Sequence, residues 1–492
     1  MKLRRLSDMT ATAPSRDVTI TGLTADSRAV APGYLFAALP GTKADGRAFI
    51  PAAIAAGAVA VLAPEGSRIE LPPEVVLVTD ANPRRRFALM ASAFHGAQPK
   101  VMAAVTGTNG KTSTADFFRQ IMTRLGHASA AIGTLGIIAP GWDSSGGLTT
   151  PDPAGLHADL ARLAGMGVTH ACMEASSHGL DQHRLDGVRL VAAAFTNLTR
   201  DHLDYHADMD AYAEAKLRLF AEVLPEGATA VINADSDLAP RVVELCAKRD
   251  IKVLGYGRAA THLRLIAVRP TARGQDLNLE IMGKAATIHL PLAGRFQADN
   301  ALAALGLALA SGADSDAALA ALEHLVGVPG RLQKVAERAN GAPVYVDYAH
   351  TPDALETVLK ALRPHAARRL VAVFGCGGDR DPGKRPLMGA IGCRLADAMI
   401  VTDDNPRSED PAAIRAAVRG ACPAGIEIGD RREAIRAAVA GLQKGDVLVV
   451  AGKGHERGQI VGAAVLPFDD AEEAQDAVRL ADAPPSIEGS AS

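Results

Sequence analysis

Short apolar runs alternate with longer segments of helical periodicity along nearly the whole chain. In the first hundred residues, the runs at 35–38 and 58–62 predict strands, with a helix at 50–56 between them. Further apolar runs fall at 128–132, 170–174, 192–197 and 228–232. This alternation of strand and helix is typical of a parallel sheet covered by helices.

The last third of the chain shows the same pattern most clearly, and the segment before it differs. Residues 262–292 alternate as antiparallel strands do. After a turn-rich stretch at 327–331, apolar runs recur at 344–346, 370–374, 398–402 and 446–451. The fold class predicted from the whole pattern is α/β with mostly parallel sheets.

The length of 492 residues suits about three domains, and linker-like sequence at 95–100 marks the first boundary. We predict a small N-terminal α/β domain at 1–97, a central domain at 98–331 and a C-terminal domain at 332–482. The tail at 483–492 is rich in small and polar residues, so we expect it to be disordered.

One strand-to-helix junction carries a phosphate-binding pattern. An apolar run from Val101 leads into a Gly-rich turn and then a helical pattern, so backbone N–H groups would point at an anion. The expected contacts are Gly107, Thr108, Asn109, Gly110, Lys111 and Thr112. Lys111 would reach the outer phosphates of ATP or GTP, and the Thr112 hydroxyl would bind Mg²⁺. The alternative is that this segment is a Gly-rich turn between a strand and a helix that binds no ligand.

This loop is shorter than the usual P-loop, because Val105 stands where the general motif has its first glycine. The helix after it is strongly patterned, with an apolar face that includes Phe117, Phe118 and Ile121. Gly126 stands where a glycine would end that helix. The pattern therefore predicts a nucleotide site of an unusual loop type.

Composition and charge narrow the possible partners and the location. With 48% hydrophobic and 22% charged residues, the chain can bury a large core, and its net charge of −3 gives no reason to expect nucleic acid or membrane lipid as a partner. No apolar run approaches the ~20 residues of a membrane span, and the basic N-terminus lacks the apolar core of a signal peptide. We therefore expect a cytoplasmic protein.

Five scattered cysteines show neither metal-ligand spacing nor an even number. We expect free thiols in a reducing compartment. The residues concerned are Cys172, Cys246, Cys376, Cys393 and Cys422.

Polar, Gly-rich loops follow four strands of the C-terminal part. They are 347–352, 375–385, 403–407 and 452–457. In an open parallel sheet the carboxyl ends of the strands share one edge, where ligands bind. A single loop of this kind is ordinarily a solvated turn, but four in succession predict one cleft.

The central part holds a second group of candidates. Glu174 ends an apolar strand and is a candidate Mg²⁺ ligand, whereas His202 and His206 have a spacing that could also suit zinc. We favour Mg²⁺, since no cysteine lies nearby and phosphate chemistry uses Mg²⁺. Lys216 lies in a helical pattern, where a lysine is ordinarily a surface residue.

Five separated motifs resemble those of the Mur ligases of peptidoglycan synthesis. They are 106–112, 174–178, 197–206, 347–352 and 452–456, and the resemblance runs in order from about residue 20 to 475. It implies an N-terminal UDP-binding domain, a central P-loop ATPase domain and a Rossmann-like C-terminal domain that binds an amino acid. It also implies an ATP- and Mg²⁺-dependent acid–amino-acid ligase that forms an amide bond through an acyl phosphate.

The resemblance assigns roles to residues that the patterns alone leave open. Lys111, Glu174, His202 and Lys216 match catalytic residues, with Thr112, Glu174, His202 and Lys216 at the metal. Lys216 matches a lysine that family members carbamylate, and a carbamate is an anion that can bind Mg²⁺ whereas an ammonium cannot. Further nucleotide contacts correspond to Asn300, Arg331, Asp347 and His350.

Contacts to the UDP-sugar peptide follow in the same way. They correspond to Ser27, Thr149, Thr150, Ser176, Gln182 and Arg184. Hydroxyls and an arginine suit a substrate rich in carbonyl and carboxylate groups. The sequence departs from some members at Leu148, where they have asparagine.

The amino-acid site resembles that of the members that add meso-2,6-diaminopimelate to UDP-MurNAc-L-Ala-D-Glu. The corresponding residues are Arg380, Asp404, Asn405, Pro406, Arg407, Gly452 and Glu456. Diaminopimelate carries a second carboxylate that lysine lacks, and an arginine pairs with a carboxylate through two parallel hydrogen bonds. Glu456 suits the distal ammonium.

Three alternatives stay open at this stage. A lysine-adding Mur ligase would lack Arg407, and a folylpolyglutamate synthase would lack the domain before the P-loop. A P-loop switch or motor ATPase would hydrolyse nucleotide without any amino acid. We expect the diaminopimelate-adding enzyme, a monomer with small-molecule partners only.

Overall fold

The computed structural model of the chain describes residues 2–10, 13–41, 44–144, 146–202 and 205–483. Residues 484–492, most of the tail expected to be disordered, lie outside the described residues. The chain forms two compact units, residues 2–264 with 300–321 and residues 265–299 with 322–483. Both units are built from helices and mostly parallel sheets, as predicted.

The first unit begins with a small four-stranded sheet. Its strands are β3, β4, β5 and β6 in that order, all parallel. The elements of this region are β1 Arg4–Arg5, β2 Thr19–Ile20, β3 Gly22–Thr24, β4 Tyr34–Ala37, α1 Ile50–Ala55, β5 Ala60–Pro64, β6 Val76–Asp80 and α2 Pro83–His95. Strands β1 and β2 pair separately and antiparallel.

A larger sheet forms the rest of the first unit, in the order β10-β9-β8-β11-β7-β12-β13-β14. The elements are β7 Val101–Thr106, α3 Lys111–Arg124, β8 Ser129–Gly133, β9 Gly136–Ala139, β10 Trp142–Ser144, α4 Pro153–Gly165, β11 His170–Glu174, α5 Ser177–Asp181, β12 Leu190–Phe195, α6 Met209–Arg218, β13 Thr229–Asn233, α7 Ala239–Lys248 and β14 Lys252–Gly257. Strands β8, β11, β7, β12, β13 and β14 are parallel. Strand β7, which leads into the predicted phosphate loop, therefore lies between two buried neighbours.

The helix after that loop ends as its sequence predicts. Helix α3 buries Phe117, Phe118 and Ile121, and Gly126 has φ +88° just beyond its end. A left-handed conformation at this position is typical of a helix C-terminus. The apolar face and the terminating glycine fix the length of the helix.

The second unit contains an antiparallel meander and a six-stranded sheet in the order β18-β19-β23-β20-β21-β22. Its strands are β15 Leu263–Thr271, β16 Gly274–Ile281, β17 Lys284–Leu290, β18 Gln333–Glu337, β19 Pro343–Asp347, β20 Leu370–Phe374, β21 Ala398–Val401, β22 Ile426–Glu427, β23 Val447–Ala451, β24 Gly458–Val461 and β25 Ala464–Pro467. Its helices are α10 Pro352–Leu362, α11 Lys384–Leu395, α12 Pro411–Arg419, α13 Arg431–Ala440 and α14 Asp470–Ala481. Two further helices, α8 Arg295–Ala310 and α9 Ser315–Ala321, belong to the first unit from residue 300 onward.

The predicted cleft loops follow β19, β20, β21 and β23, which are parallel neighbours in the second unit's sheet. Their carboxyl ends therefore meet at one edge, as the sequence pattern predicts. Strand order places β23 between β19 and β20, although it comes last of the four in sequence. This crossover brings the loop at 452–457 next to the loop at 347–352.

A fully buried ion pair is bonded to the carboxyl end of strand β23, at the edge where these loops meet. Arg431 donates to both carboxylate oxygens of Asp470 at 2.7 Å, and neither side chain is exposed. Arg431 also donates to the Ala451 carbonyl at 2.9 Å. Helices α13 and α14 are thus joined to the end of strand β23 by one guanidinium group.

The expectation of five free thiols is wrong for two of them. Cys393 and Cys422 form a disulfide with a Cα–Cα distance of 5.5 Å, whereas Cys172, Cys246 and Cys376 are free and buried. The pair was missed because 29 residues separate the two cysteines along the chain. Packing of α11 against α12 brings them together.

No helix within the described part of the chain is long and apolar enough to cross a membrane. The strand runs predicted at 170–174 and 370–374 match β11 and β20. Strands β6, β14 and the β24–β25 hairpin were not predicted from the sequence, and many of their side chains are partly or fully exposed.

Replacing Arg431 by methionine is expected to lower the free energy of unfolding by about 3–5 kcal/mol, because the change leaves the Asp470 carboxylate buried without its cation. Denaturant unfolding measures the loss. The matched control is Arg432→Met, since Arg432 pairs with Glu473 at the surface and is about half exposed. Equal unfolding midpoints for the two variants would contradict the role given to the buried pair.

Candidate active site

The phosphate loop is shaped by two glycines that no other residue can replace. Gly107 has φ +143° and Gly110 has φ +87°, so both lie where residues with a side chain are rarely found. A Cβ atom at Gly107 would overlap the Thr196 hydroxyl, and one at Gly110 would overlap the Asn300 side-chain oxygen. The contact with Gly110 places Asn300 beside the loop, next to the predicted nucleotide contacts.

The segment after β12 holds the loop from below. Asn197 Oδ1 accepts from Asn109 N at 2.9 Å, and the Thr196 hydroxyl donates to the Asn109 carbonyl at 2.7 Å. The Thr108 hydroxyl donates to the Thr199 carbonyl at 3.1 Å. These bonds leave the backbone N–H groups at the start of α3 available for an anion.

Two lysines converge on one carbonyl group. The Gly107 oxygen accepts from Lys111 Nζ at 2.9 Å and from Lys216 Nζ at 2.7 Å. Lys111 also donates to the Thr108 carbonyl at 2.8 Å. Lys216 was expected to resemble a surface lysine from its pattern alone, but it is 1% exposed.

Burial lowers the pKa of Lys216 well below its usual range, the nearby Lys111 charge lowers it further, and Asp201 opposes the shift. The ammonium lies 4.4 Å from the centre of the Tyr212 ring. Burial in turn raises the pKa of Tyr212 to about 12, so its hydroxyl stays neutral. A buried lysine with a lowered pKa carries a substantial fraction of neutral, nucleophilic amine.

Glu174 lies at the buried end of β11 and is held in one orientation. Its carboxylate accepts from Thr134 N at 2.8 Å and from the Thr134 hydroxyl at 3.2 Å. Glu174 and Thr112 line the same small cavity. A carboxylate and a hydroxyl are hard oxygen donors, so this pair fits Mg²⁺.

The histidines of the central part form an aromatic cluster. The ring of His178 lies 5.0 Å from His202, 5.7 Å from His206 and 4.0 Å from Tyr205, measured between centres. His202 has φ +52° and is partly exposed. Within the described residues no group of three or more His, Cys, Asp or Glu side chains is arranged to hold a metal ion.

Five of the residues predicted to contact the sugar peptide share one hydrogen-bond network. The Thr150 hydroxyl lies 3.0 Å from the Ser176 hydroxyl, and the Thr149 hydroxyl lies 3.1 Å from that of Thr134. Arg184 donates to the Thr150 carbonyl at 2.8 Å and to Gln182 Oε1 at 2.7 Å. Ser27 lies in the short turn Ser27–Ala29 after β3, and among the described residues no hydrogen bond joins it to this network.

In the second unit, Tyr348 lies among the residues predicted for ATP and for the amino acid. The Arg331 guanidinium lies 5.2 Å from the Tyr348 ring centre, and the His350 ring lies 4.6 Å from it. Burial raises the pKa of Tyr348, the charges of Glu456 and Asp404 raise it further, and those of Arg331 and Arg380 lower it. The four charged side chains therefore all lie close enough to Tyr348 to affect its hydroxyl group.

Asp347 ends β19 in the same region. Its carboxylate accepts from Leu332 N at 2.6 Å and from Ala349 N at 2.8 Å. Burial raises the pKa of Asp347 to about 6, against the lowering effects of the Arg331 charge and these two bonds. The bonds fix the start of the loop at 347–352 and the turn at 327–331 together.

The loop from Asp404 to Arg407 is held by the β24–β25 hairpin. Arg407 N donates to the Ile460 carbonyl at 3.0 Å, and Gly462 N donates to the Arg407 carbonyl at 2.7 Å. Gln459 Nε2 donates to the Asp404 carbonyl at 2.8 Å. Arg407, with φ +54°, donates through Nη1 to the Gly378 carbonyl at 2.9 Å.

The remaining residues of the predicted amino-acid site pack around this loop. Asn405 Nδ2 donates to Glu456 Oε2 at 2.9 Å, and Gly452 has φ +118° with no room for a Cβ beside the Asp404 carboxylate. The Pro406 carbonyl accepts from Glu409 N at 3.1 Å. Arg380 is exposed on the neighbouring loop.

Three family profiles match the chain in order. They are "Mur ligase family, catalytic domain" over residues 19–123, "Mur ligase middle domain" over 105–308 and "Mur ligase, glutamate ligase domain" over 330–454. The chain belongs to the Mur ligase family. The family resemblance inferred from the motifs and the three-domain α/β fold class are confirmed, whereas the boundaries at residues 97 and 331 stay predictions.

Individual proteins of this family match over nearly their whole length. The UDP-N-acetylmuramoyl-L-alanyl-D-glutamate--2,6-diaminopimelate ligase of Caulobacter vibrioides is 57% identical, over 98% of this chain and 100% of the relative. The protein of the same name from Bradyrhizobium diazoefficiens is 54% identical, over 92% and 93%. A solved structure of a ligase of that name aligns with a TM-score of 0.75 at 35% identity, over 98% of this chain and 99% of the other.

The Mur ligase motifs identify most of the residues found around the phosphate loop and at the sheet edge of the second unit. They do not identify the residues that hold those side chains in place. Thr134, Tyr212, Tyr348 and the fully buried Lys453 lie at the predicted sites and were not predicted as site residues. Tyr348 and Lys453 lie inside the motifs at 347–352 and 452–456. Their position in these motifs was the only sequence signal that they belong to the site. The roles of individual residues in this Mur ligase stay predictions.

Gly110→Ala is expected to weaken ATP binding by at least about tenfold, since the new Cβ would push Asn300 and distort the loop that presents N–H groups to the phosphates. Isothermal titration with a non-hydrolysable ATP analogue measures the affinity. Gly126→Ala is the matched control, because Gly126 has φ +88° on the same helix and a Cβ there meets nothing within 4 Å. A similar loss in both variants would assign the effect to backbone strain alone.

Proposed function

We propose that this Mur ligase joins meso-2,6-diaminopimelate to the D-glutamate carboxylate of UDP-MurNAc-L-Ala-D-Glu, with ATP as the energy source and Mg²⁺ as the metal. The near-full-length relatives carry the name of this activity. The observation that carries the proposal for this chain is Arg407, which the β24–β25 hairpin holds in the same loop as Asn405, the hydrogen-bond partner of Glu456. The product is a cytoplasmic precursor of the peptidoglycan that sets cell shape and permits division.

The reaction has two steps. The substrate carboxylate attacks the γ-phosphorus of ATP, which releases ADP and leaves an acyl phosphate. The amine of diaminopimelate then attacks the acyl carbon, loses a proton, and expels phosphate to form the amide. The protein must therefore bind three substrates, stabilise a phosphoryl transfer and exclude water from the acyl phosphate.

The phosphate loop would stabilise the negative charge on the phosphate oxygens of ATP. Lys111 would leave the loop carbonyls that it now contacts and donate to the outer phosphates of ATP, while loop N–H groups bind the remaining oxygens. Thr112 and Glu174 would hold Mg²⁺, together with His202 and carbamylated Lys216. Mg²⁺ would neutralise charge that develops on the phosphate oxygens.

Lys216 fits carbamylation for a physical reason. Only a neutral amine attacks CO₂, and burial next to Lys111 lowers the pKa of Lys216 well below its usual range. The product is an anion beside Lys111, so a repulsive pair becomes an attractive one. An unmodified ammonium at this place would instead repel Mg²⁺.

The hydroxyl and arginine network would bind the sugar peptide. Arg184 is oriented by the Thr150 carbonyl and by Gln182, and Ser176 begins helix α5 with its hydroxyl on Gly179 N. Such a set donates hydrogen bonds to carbonyl and carboxylate oxygens of the peptide. Ser27 would contact the uridine nucleotide.

The distal end of diaminopimelate would be bound by side chains of opposite charge. Arg407 would pair with the distal carboxylate of diaminopimelate through two hydrogen bonds, and Glu456 would accept from the distal ammonium. Lysine lacks that carboxylate, so binding lysine would leave Arg407 without its partner. We expect the enzyme to act as a monomer on small molecules only.

Phosphate release from ATP tests the proposal most directly. It is measured with Mg²⁺ and UDP-MurNAc-L-Ala-D-Glu, adding meso-diaminopimelate or L-lysine in parallel. Release that requires diaminopimelate is the expected result. Release supported equally by lysine would overturn the specificity, and release that ignores both amino acids would favour a simple ATPase.

Arg407→Lys is expected to lower kcat/KM for diaminopimelate by about ten- to a hundredfold, because lysine cannot form the two parallel bonds of a guanidinium. KM for ATP should stay unchanged. Arg419→Lys serves as the control, since Arg419 is exposed and pairs with Glu427 outside the site. Unchanged kinetics in Arg407→Lys would remove Arg407 from the amino-acid site.

Lys216→Ala is expected to lower kcat by about a hundredfold or more, since it removes a charged group next to the phosphoryl transfer. Added short-chain carboxylic acids should restore part of the rate by replacing the carbamate. Lys248→Ala, at a surface lysine of the same unit that pairs with Glu244, should keep full activity. Full activity in Lys216→Ala would refute the carbamate.

A further inference from the structure

Lys453 is a fully buried lysine inside the predicted amino-acid site, and no role has been given to it so far. Its side chain is 0% exposed. Its ammonium donates to Asn405 Oδ1 at 3.0 Å and to Glu456 Oε2 at 3.3 Å. Burying an ammonium is costly unless it is paired, so a lysine at this place needs a compensating reason.

The two bonds fix the orientation of both partners. Asn405 Oδ1 also accepts from Ile460 N at 2.9 Å, so the amide oxygen faces two donors and Nδ2 must face Glu456. Glu456 Oε2 therefore accepts from both Asn405 and Lys453. Within the described residues, the hydrogen bonds to Glu456 are made to Oε2, and Oε1 is available to a ligand.

Lys453 supplies the positive charge that lies next to Glu456, since its Nζ atom is 3.3 Å from Glu456 Oε2. Arg431 supplies the positive charge that lies next to Asp470. Arg431 is also affected by Asp404 and Glu456, so the buried charges act on one another. Without Lys453 the Glu456 carboxylate would lose its paired cation, and the site would become more negative by one charge.

The two candidate amino acids differ in the charge of their distal ends. That of diaminopimelate carries an ammonium and a carboxylate and is neutral, whereas that of lysine carries an ammonium alone. A Glu456 carboxylate whose charge is offset by Lys453 suits the zwitterionic end, and one without its paired cation would suit the cationic end, because a low-dielectric site magnifies such differences.

We propose that Lys453 is a specificity-determining residue that offsets the Glu456 charge, so that the site prefers a zwitterionic side-chain end over a cationic one. The proposal rests on the proposed function and adds to it. Arg407 attracts the distal carboxylate, and Lys453 keeps Glu456 from attracting a bare ammonium too strongly. Specificity would then depend on a residue that need not touch the ligand.

The test compares wild type, Lys453→Met and Lys453→Met/Glu456→Gln by phosphate release with ATP, Mg²⁺ and UDP-MurNAc-L-Ala-D-Glu, varying meso-diaminopimelate or L-lysine. In Lys453→Met, the ratio of kcat/KM for diaminopimelate to that for lysine should fall by at least about tenfold, with lysine used better in absolute value. KM for ATP should stay within about twofold, since the change is confined to the amino-acid site. The double variant, which removes both charges of the Lys453–Glu456 pair, should lose the gained use of lysine.

Lys444→Met is the matched control, because Lys444 is an exposed lysine of the same unit and its loss changes net charge equally. Lys453→Gln, which keeps an amide donor for Asn405 and Glu456, makes the same test if Lys453→Met does not fold. A parallel loss for both amino acids would mean a merely structural role and would overturn the proposal. A wild type that ignores diaminopimelate would instead refute the proposed function, so the two failures are distinguishable.

Discussion

The carbonyl group of Gly107 accepts from two lysines, and much of the chemistry of the first unit follows from that arrangement. Lys111 begins α3 and Lys216 lies in the last turn of α6, so one oxygen joins the phosphate loop to a helix more than a hundred residues away. Burial disfavours the ammonium form of Lys216, and the nearby Lys111 charge adds to the effect. The arrangement favours a neutral amine at Lys216, which is the form that CO₂ requires.

The second unit handles charge in a different way. Its buried ionic groups are arranged in compensating sets, with Arg431 on Asp470 below the sheet edge and Lys453 on Glu456 within the loops. Such groups are expensive to bury, and their retention at one edge is easier to explain by ligand selection than by stability. The first unit thus brings two lysines close together, whereas the second places buried cations against carboxylates.

The sequence was sufficient for the main strands, the phosphate loop and the cleft edge, because these depend on local patterns and on the rule that parallel strands end together. Long buried runs such as β11 and β20 were placed to the residue. The sequence was insufficient where tertiary contacts decide. The burial of Lys216 and Lys453, the Cys393–Cys422 pair and the hairpin that supports Arg407 arise from packing between distant segments, which no single-sequence periodicity records.

The β24–β25 hairpin holds Arg407 almost entirely through main-chain groups. The bonds run from Arg407 N to the Ile460 carbonyl and from Gly462 N to the Arg407 carbonyl, while Val465 and Leu466 project outward. Support of this kind is indifferent to most side chains. Side chains of the hairpin can therefore change without moving Arg407, as long as its ladder and the left-handed glycine at residue 462 persist.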